Sequence, residues 1–239
     1  MYYGNTTNYG QAIGILMLNT GFPRIPGDIG NATTFDFPVL YKVISAANAH
    51  TVVDEQGKDL LEPFIEGARE LSAQGVRAVT TSCGFLAVFQ KELAAAVDVP
   101  VFASSLIQAK FVYPMLKAGQ KIGIITANAA KLTGRHFEGV DIAGIPKVVV
   151  GTEDTDFSRT FTSGVHYLDE EKARADLTRI AGRLVKDHPE VGAIVLECTN
   201  MPPYAADIQQ KTGLPVFDIV TLVNYVYSAV VRKRYQGYL

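Results

Sequence analysis

The chain has 239 residues, 48% of them hydrophobic, with 22 Lys and Arg against 24 Asp and Glu, which is apolar content enough for one large domain or two lobes of about 100–120 residues each. A formal net charge of −2, with no basic cluster longer than Arg232–Lys233–Arg234, gives nucleic acid no electrostatic footprint. No uncharged apolar run approaches the ~20 residues of a membrane helix and the start MYYGNTTNYG lacks the basic and apolar regions of a signal peptide, so a soluble cytoplasmic protein with reduced thiols is expected.

Residues 12–19, AIGILMLN, read as a buried strand, and 38–45, PVLYKVIS, as a strand or the opening of a helix. Between them, 20–37 is long and rich in Gly, Pro and Thr, the composition of a loop that closes over a site. Its Arg24 reads as a solvated charge, with a second anionic group of a ligand as the alternative partner. Residues 59–75 carry apolar side chains at helical spacing. The strand 76–82 follows and stops at Cys83, and a helix over 85–97 leads to a strand over 99–104. This alternation of apolar strands with helices predicts an α/β fold whose parallel sheet is covered on both faces.

The same order then returns. KIGIITAN (121–128) matches AIGILMLN at Ile, Gly, Ile and the final Asn, and a helix over 171–188 precedes the strand 191–197, which stops at Cys198. Cys83 lies 17 residues before Pro100 of VPVF (100 − 83), and Cys198 lies 17 before Pro215 of LPVF (215 − 198). Two copies of one α/β unit, related by an approximate twofold axis and facing each other across a cleft, account for this register.

Ligands of open parallel sheets bind beyond the carboxyl ends of the strands, where both cysteines fall. Related by the pseudo-twofold axis, Cys83 and Cys198 would address opposite faces of one small ligand. Each also precedes a predicted helix, whose dipole and N–H groups are expected to favour thiolate over thiol. The N–H groups of Gly84 and Phe85, and of Thr199 and Asn200, are placed to hold an anion such as a carboxylate. Metal is unsupported, because the two cysteines form no CxxC pair and His50, His136, His166 and His188 show no ligand spacing.

The residues also have plainer readings. One cysteine at a strand end is commonly a small buried hydrophobe, but packing does not demand the same thiol at both equivalent positions. Thr126 and Thr199 suit helix or turn caps as well as a ligand, and Asn19 and Asn128 suit turns after strands. Glu197 is expected to point to the opposite side of its strand from Cys198 and to be structural, unless the strand ends early.

With its opening IGI strand, the central GIITAN, both strand-end cysteines and the closing helical segment, nearly the whole chain resembles the cofactor-independent aspartate/glutamate racemase superfamily. That superfamily includes hydantoin racemases, maleate isomerases, arylmalonate decarboxylases and algal dimethylsulfoniopropionate lyases. The resemblance implies that Cys83 and Cys198 act as acid and base at the carbon next to a carboxylate, with no pyridoxal phosphate or metal. It places Ser82, Gly84, Thr126 and Thr199 near that carboxylate and Asn19 along the same cleft. It also implies that the final run, 220–235, crosses back to the first lobe, making lobe one 1–112 plus 218–239 and lobe two 113–217. The exposed Tyr and Val of that run are compatible with a homodimer.

The chain departs from the racemases where they choose substrate. Cys83-Gly84-Phe85 stands in place of Cys-Asn-Thr, and Thr199-Asn200 in place of Thr-His or Thr-Glu. Phe85 and MPPY after Asn200 point to a more apolar or bulkier substrate. The expected reaction is racemisation or isomerisation of a small amino acid or related acid. Elimination or decarboxylation on the same scaffold is the nearest rival, and a non-catalytic two-lobed sensor or thiol redox switch is the more distant one.

Overall fold

Two four-stranded parallel sheets, ordered β2-β1-β3-β4 and β6-β5-β7-β8, make up the framework of the computed structural model, which describes residues 1–238 except 2, 3, 5, 56, 58, 163 and 164. In the first sheet β1 is Ile13–Leu18, β2 Val39–Ile44, β3 Ala78–Thr81 and β4 Val101–Phe102. In the second β5 is Lys121–Thr126, β6 Lys147–Gly151, β7 Val191–Leu196 and β8 Val216–Phe217. The helices are α1 Leu61–Ala73, α2 Gln90–Ala96, α3 Ala109–Val112, α4 Gly134–Gly139, α5 Asp156–Thr162, α6 Glu170–Asp187, α7 Ala205–Thr212 and α8 Ile219–Val230. The repeat extends to strand register. Val79 pairs with Val101 and Thr80 with Phe102 in one sheet, and Ile194 pairs with Val216 and Val195 with Phe217 in the other.

The shared Ile-Gly-Ile has a packing cause. β1 and β5 are central strands under the long amphipathic helices α1 and α6, and each brings a glycine beneath a buried leucine. A Cβ on Gly14 would lie 3.0 Å from Leu71, and one on Gly123 would lie 2.9 Å from Leu184. A larger residue would push helix from sheet. Both leucines are buried, each contributing about 1.5–3 kcal/mol by burial.

Several elements are shorter than their sequence patterns predict: the strand expected over 76–82 is Ala78–Thr81, and the helix expected over 85–97 is a 3-10 segment, Gly84–Phe89, followed by α2. The strand expected over 99–104 pairs only at Val101 and Phe102, because the Gln90 amide then takes over its edge: Nε2 donates to Val101 O at 2.9 Å and Oε1 accepts from Ala103 N at 2.8 Å. The terminal helix expected to reach residue 235 stops at Val230. Ile219, Leu222 and Val223 of α8 bury themselves with Ile13, Ile15 and Ala78 of the first sheet. Beyond Val230 the described residues are mostly exposed and none joins this core, and a short helix without tertiary packing does not persist in water. Among the described residues no helix is long and apolar enough to cross a membrane.

The sheets meet through a shared core in which Leu16, Val79 and Leu86 join Ile122, Ile124 and Val195. Cross-links close the seam at the strand ends. Thr199 Oγ1 donates to Ser82 O at 2.6 Å, Ser105 Oγ to Leu196 O at 2.6 Å, and Gln108 Nε2 to Asp218 O at 2.8 Å.

Candidate active site

β3 and β7 end at Thr81 and Leu196, and in each the second residue past the end is a cysteine. Thr81 Oγ1 turns back to Ala103 O at 2.7 Å and Cys83 O at 3.0 Å, so the chain leaves the sheet with Cys83 in extended geometry before one 3-10 segment, Gly84–Phe89. The Phe85 N–H lies beside the Cys83 sulfur, and the Leu86 N–H donates to Cys83 O at 3.1 Å. On the other side, Cys198 Sγ donates to Asn200 Oδ1 at 3.5 Å, and the Asn200 N–H faces its sulfur.

Both thiols line one cavity of about 40 Å³, room for about one or two water molecules. Phe22 and Arg24 of the loop after β1 roof it, and Phe85 and Phe161 make apolar walls. The polar wall is one connected chain: Asn200 Nδ2 donates to Asp28 Oδ2 at 2.6 Å, and Asp28 Oδ1 accepts from Arg24 Nη1 and Gly30 N, both at 2.7 Å. Arg24 Nη2 reaches Thr20 Oγ1 at 3.0 Å, and the guanidinium carbon sits 4.7 Å from the centre of the Phe22 ring.

Burial decides the charge of the sulfurs. It pushes the Cys83 thiol up to about 12, with the Glu197 charge adding to the rise and the Phe85 and Leu86 N–H groups and Arg24 opposing it. Cys198 is raised well above its ordinary value, again by burial first and Glu197 second. The expectation that helix starts favour thiolates is therefore corrected: both groups rest as thiols. A 3-10 segment follows Cys83, and residues 199–201 and the 3-10 turn Pro202–Tyr204 lie between Cys198 and α7, so neither sulfur meets the aligned peptides of a full α-helix.

Glu197 needs a second correction. β7 stops at Leu196, so the alternation that would turn residue 197 away no longer applies, and the side chain lines the cavity. Its Oε2 accepts from Thr126 Oγ1 at 2.7 Å, while Oε1 is buried with no hydrogen-bond partner among the described residues. Burial raises this carboxyl to about 7, against the pull of Thr126 and the Ala127 N–H. Gly84 is cut to fit it, since a Cβ there would overlap both Oε1 and the backbone O of Glu197. Gly84→Ala is accordingly expected to cost about 1–3 kcal/mol of stability by overpacking the seam, read as a lower denaturant midpoint. An unchanged midpoint would show that the lobes part freely here.

The other expected site residues divide. Ser82, Gly84, Phe85, Thr199 and Asn200 line the cavity with the two cysteines. Asn19 is exposed and lies in an adjoining depression with Asn48 and His50. Thr126 is buried and spends its hydroxyl on Glu197. The Thr199 hydroxyl is taken by Ser82 O and the Ser82 hydroxyl accepts from Leu18 N at 2.9 Å, leaving backbone groups and Asn200 as the polar surface at these positions. Arg24, read as a solvated charge, is only 13% exposed and paired with Asp28 at 3%. Phe161, on α5 in the second lobe, carried no signal in the sequence. His136 is buried against Phe85, with ring centres 4.9 Å apart, and its Nδ1 accepts from Thr133 N at 3.0 Å as a helix cap.

The family model for Asp/Glu/hydantoin racemase matches residues 105–223. A dimethylsulfoniopropionate lyase of Durusdinium sp. clade D is 30% identical over 227 residues, taking in 90% of this chain and 73% of that protein. Dimethylsulfoniopropionate lyase 7 of Emiliania huxleyi (strain CCMP1516) is 29% identical over 229 residues, 92% of this chain and 67% of that protein. Among solved structures, a mutant of arylmalonate decarboxylase in its sulfate-associated form superimposes with TM-score 0.62 at 15% identity, over 91% of this chain and 92% of that one. The aspartate racemase of Picrophilus torridus does so with TM-score 0.59 at 15% identity, over 92% and 94%.

Proposed function

Because the chain belongs to the Asp/Glu/hydantoin racemase superfamily, we propose that Cys83 and Cys198 carry proton transfer at the carbon next to a substrate carboxylate, and that elimination of a β-substituent is the outcome. The observation that supports this most directly is the meeting of both thiols in one narrow cavity beside Arg24, the one basic side chain on its wall among the described residues. Arg24 is the counter-ion for the carboxylate, and the N–H groups around the cysteines face the charge that develops as the α-proton leaves.

The two sulfurs have unequal surroundings. Arg24 favours the Cys83 thiolate, whereas Asp28 disfavours that of Cys198. Cys83 is therefore assigned as base, and Cys198 as the acid that racemisation would need on the other face. In the elimination, the Cys83 thiolate takes the α-proton, the C–H electron pair becomes the new C=C bond, and the leaving group departs from the β-carbon with its bonding pair. Elimination ranks ahead of racemisation because the relatives at about 30% identity are named as lyases acting on dimethylsulfoniopropionate, and the aromatic walls suit a weakly hydrated onium group. Racemisation keeps the support of having one thiol for each face.

Incubation with dimethylsulfoniopropionate in D₂O tests the choice. Acrylate and dimethyl sulfide are the expected products. Deuterium entering the α-position of a chiral amino or aryl acid, with loss of optical rotation and no alkene from any β-substituted propionate, would replace elimination by racemisation.

A further inference from the structure

Asn200 joins a loop of the first lobe to a thiol of the second. Its amide has two ends of nearly the same shape and opposite chemistry, an oxygen that accepts and an NH₂ that donates. Here Nδ2 donates to Asp28 Oδ2 at 2.6 Å, and Oδ1 accepts from Cys198 Sγ at 3.5 Å. The choice of end belongs to Asp28, because a carboxylate paired with a guanidinium can only accept. Its other oxygen, Oδ1, is filled by Arg24 Nη1 and Gly30 N, both at 2.7 Å, and its backbone O accepts from Thr34 Oγ1 at 2.7 Å. Asp28 and Asn200 are 2% and 7% exposed, so little water competes for either end of the amide.

We propose that Asp28 is a positioning residue: by claiming the donor end of the Asn200 amide, it turns the acceptor end to Cys198 and holds that sulfur as a thiol. The role rests on the two-thiol reading above. An acceptor beside a thiol keeps its proton in place, whereas a donor there favours thiolate. Cys83 has the Phe85 N–H and the Arg24 charge near it, and no such side-chain acceptor among the described residues. The α-proton is therefore taken on the Cys83 side alone. One carboxylate thus serves both ends of the site: Oδ1 holds the counter-ion of the substrate carboxylate, and Oδ2 sets the state of Cys198.

The near-isosteric Asp28→Asn tests this, because it reverses the amide. Arg24 and the Gly30 N–H still need an oxygen at the Oδ1 position, so the new NH₂ takes the place of Oδ2 and faces Asn200 Nδ2. Two donors do not pair, and Asn200 turns its oxygen to position 28 and its NH₂ to the Cys198 sulfur. Native protein is alkylated with iodoacetamide at about pH 8, and the ratio of Cys198 to Cys83 modification is read by peptide mass spectrometry, each thiol controlling for access to the shared cavity. Loss of the Asp28 charge by itself also favours the Cys198 thiolate, so the substitution is made both in wild type and in an Asn200→Ala background. The ratio is expected to rise about tenfold more with Asn200 in place than without it, since one pH unit of thiol acidity is tenfold in thiolate. A rise no larger with Asn200 than without it overturns the proposal, because Asp28 would then act by its charge alone. If Asp28→Asn does not fold, NMR of the wild-type protein decides: NOEs from the Asn200 amide protons to the Asp28 Hβ protons are expected, and NOEs to the Cys198 Hβ protons in their place overturn it. The expected shift in a protein that turns over no carboxylic acid removes the reaction and leaves the Asp28–Asn200 latch standing. Turnover without the shift removes the latch alone.

Discussion

Cys83→Ser is expected to lower turnover by about 10²–10⁴-fold, the range for loss of a positioned acid or base, with the fold intact because serine differs from cysteine by one atom at a partly exposed position. A serine hydroxyl ionises far above a thiol and has no base strength to offer at neutral pH. Cys198→Ser separates the two readings of function. Elimination needs one base and expels the leaving group without a second proton, so this variant should keep much of its alkene production. Racemisation needs a thiol on each face, so both single variants should lose it, and the double variant should lose little more than either one. Steady-state rates with alkene release and loss of optical rotation measured side by side check this. Full elimination activity in Cys83→Ser would reverse the assignment of base and acid.

Arg24→Met has two expected consequences that differ in origin. The substrate carboxylate loses its counter-ion, which should raise KM by about 10²-fold, a charge-assisted hydrogen bond in a poorly solvated site contributing about 1.5–3 kcal/mol. Independently, Asp28, buried at 3% exposure and tied to Asn200, is left without its cation. Breaking a buried pair on one side costs about 3–5 kcal/mol of stability. Adding Asp28→Asn to the Arg24 variant should recover most of the stability and none of the affinity. A double-mutant cycle on denaturant midpoint and on KM measures the two separately. Recovery of both together would mean that Arg24 serves only to hold the loop.

The strands and long helices were legible because their signals are local. AIGILMLN and KIGIITAN are apolar throughout, as strands covered on both faces must be, and α1 and α6 carry their apolar residues on one stripe. The paired cysteines were legible because duplication puts them at the same distance from the same Pro-Val-Phe. Arg24 and Glu197 were not. Arg24 stands in a loop of 20 residues (19–38) whose path is set by contacts far along the chain, Asp28 with Asn200 above all. The orientation of Glu197 depends on where β7 ends, and a one-residue difference there turns a side chain to the other face of a sheet.

By itself, then, the sequence determined that two equivalent α/β units exist and that each ends a central strand near a thiol, because hydrophobic periodicity and internal repetition are written in the order of residues. Only the tertiary structure decided the state and company of those thiols. Their protonation follows from burial and from the charges of Glu197, Arg24 and Asp28, and electrostatic energies depend on separation through space and on the exclusion of water. Spacing along the chain measures neither.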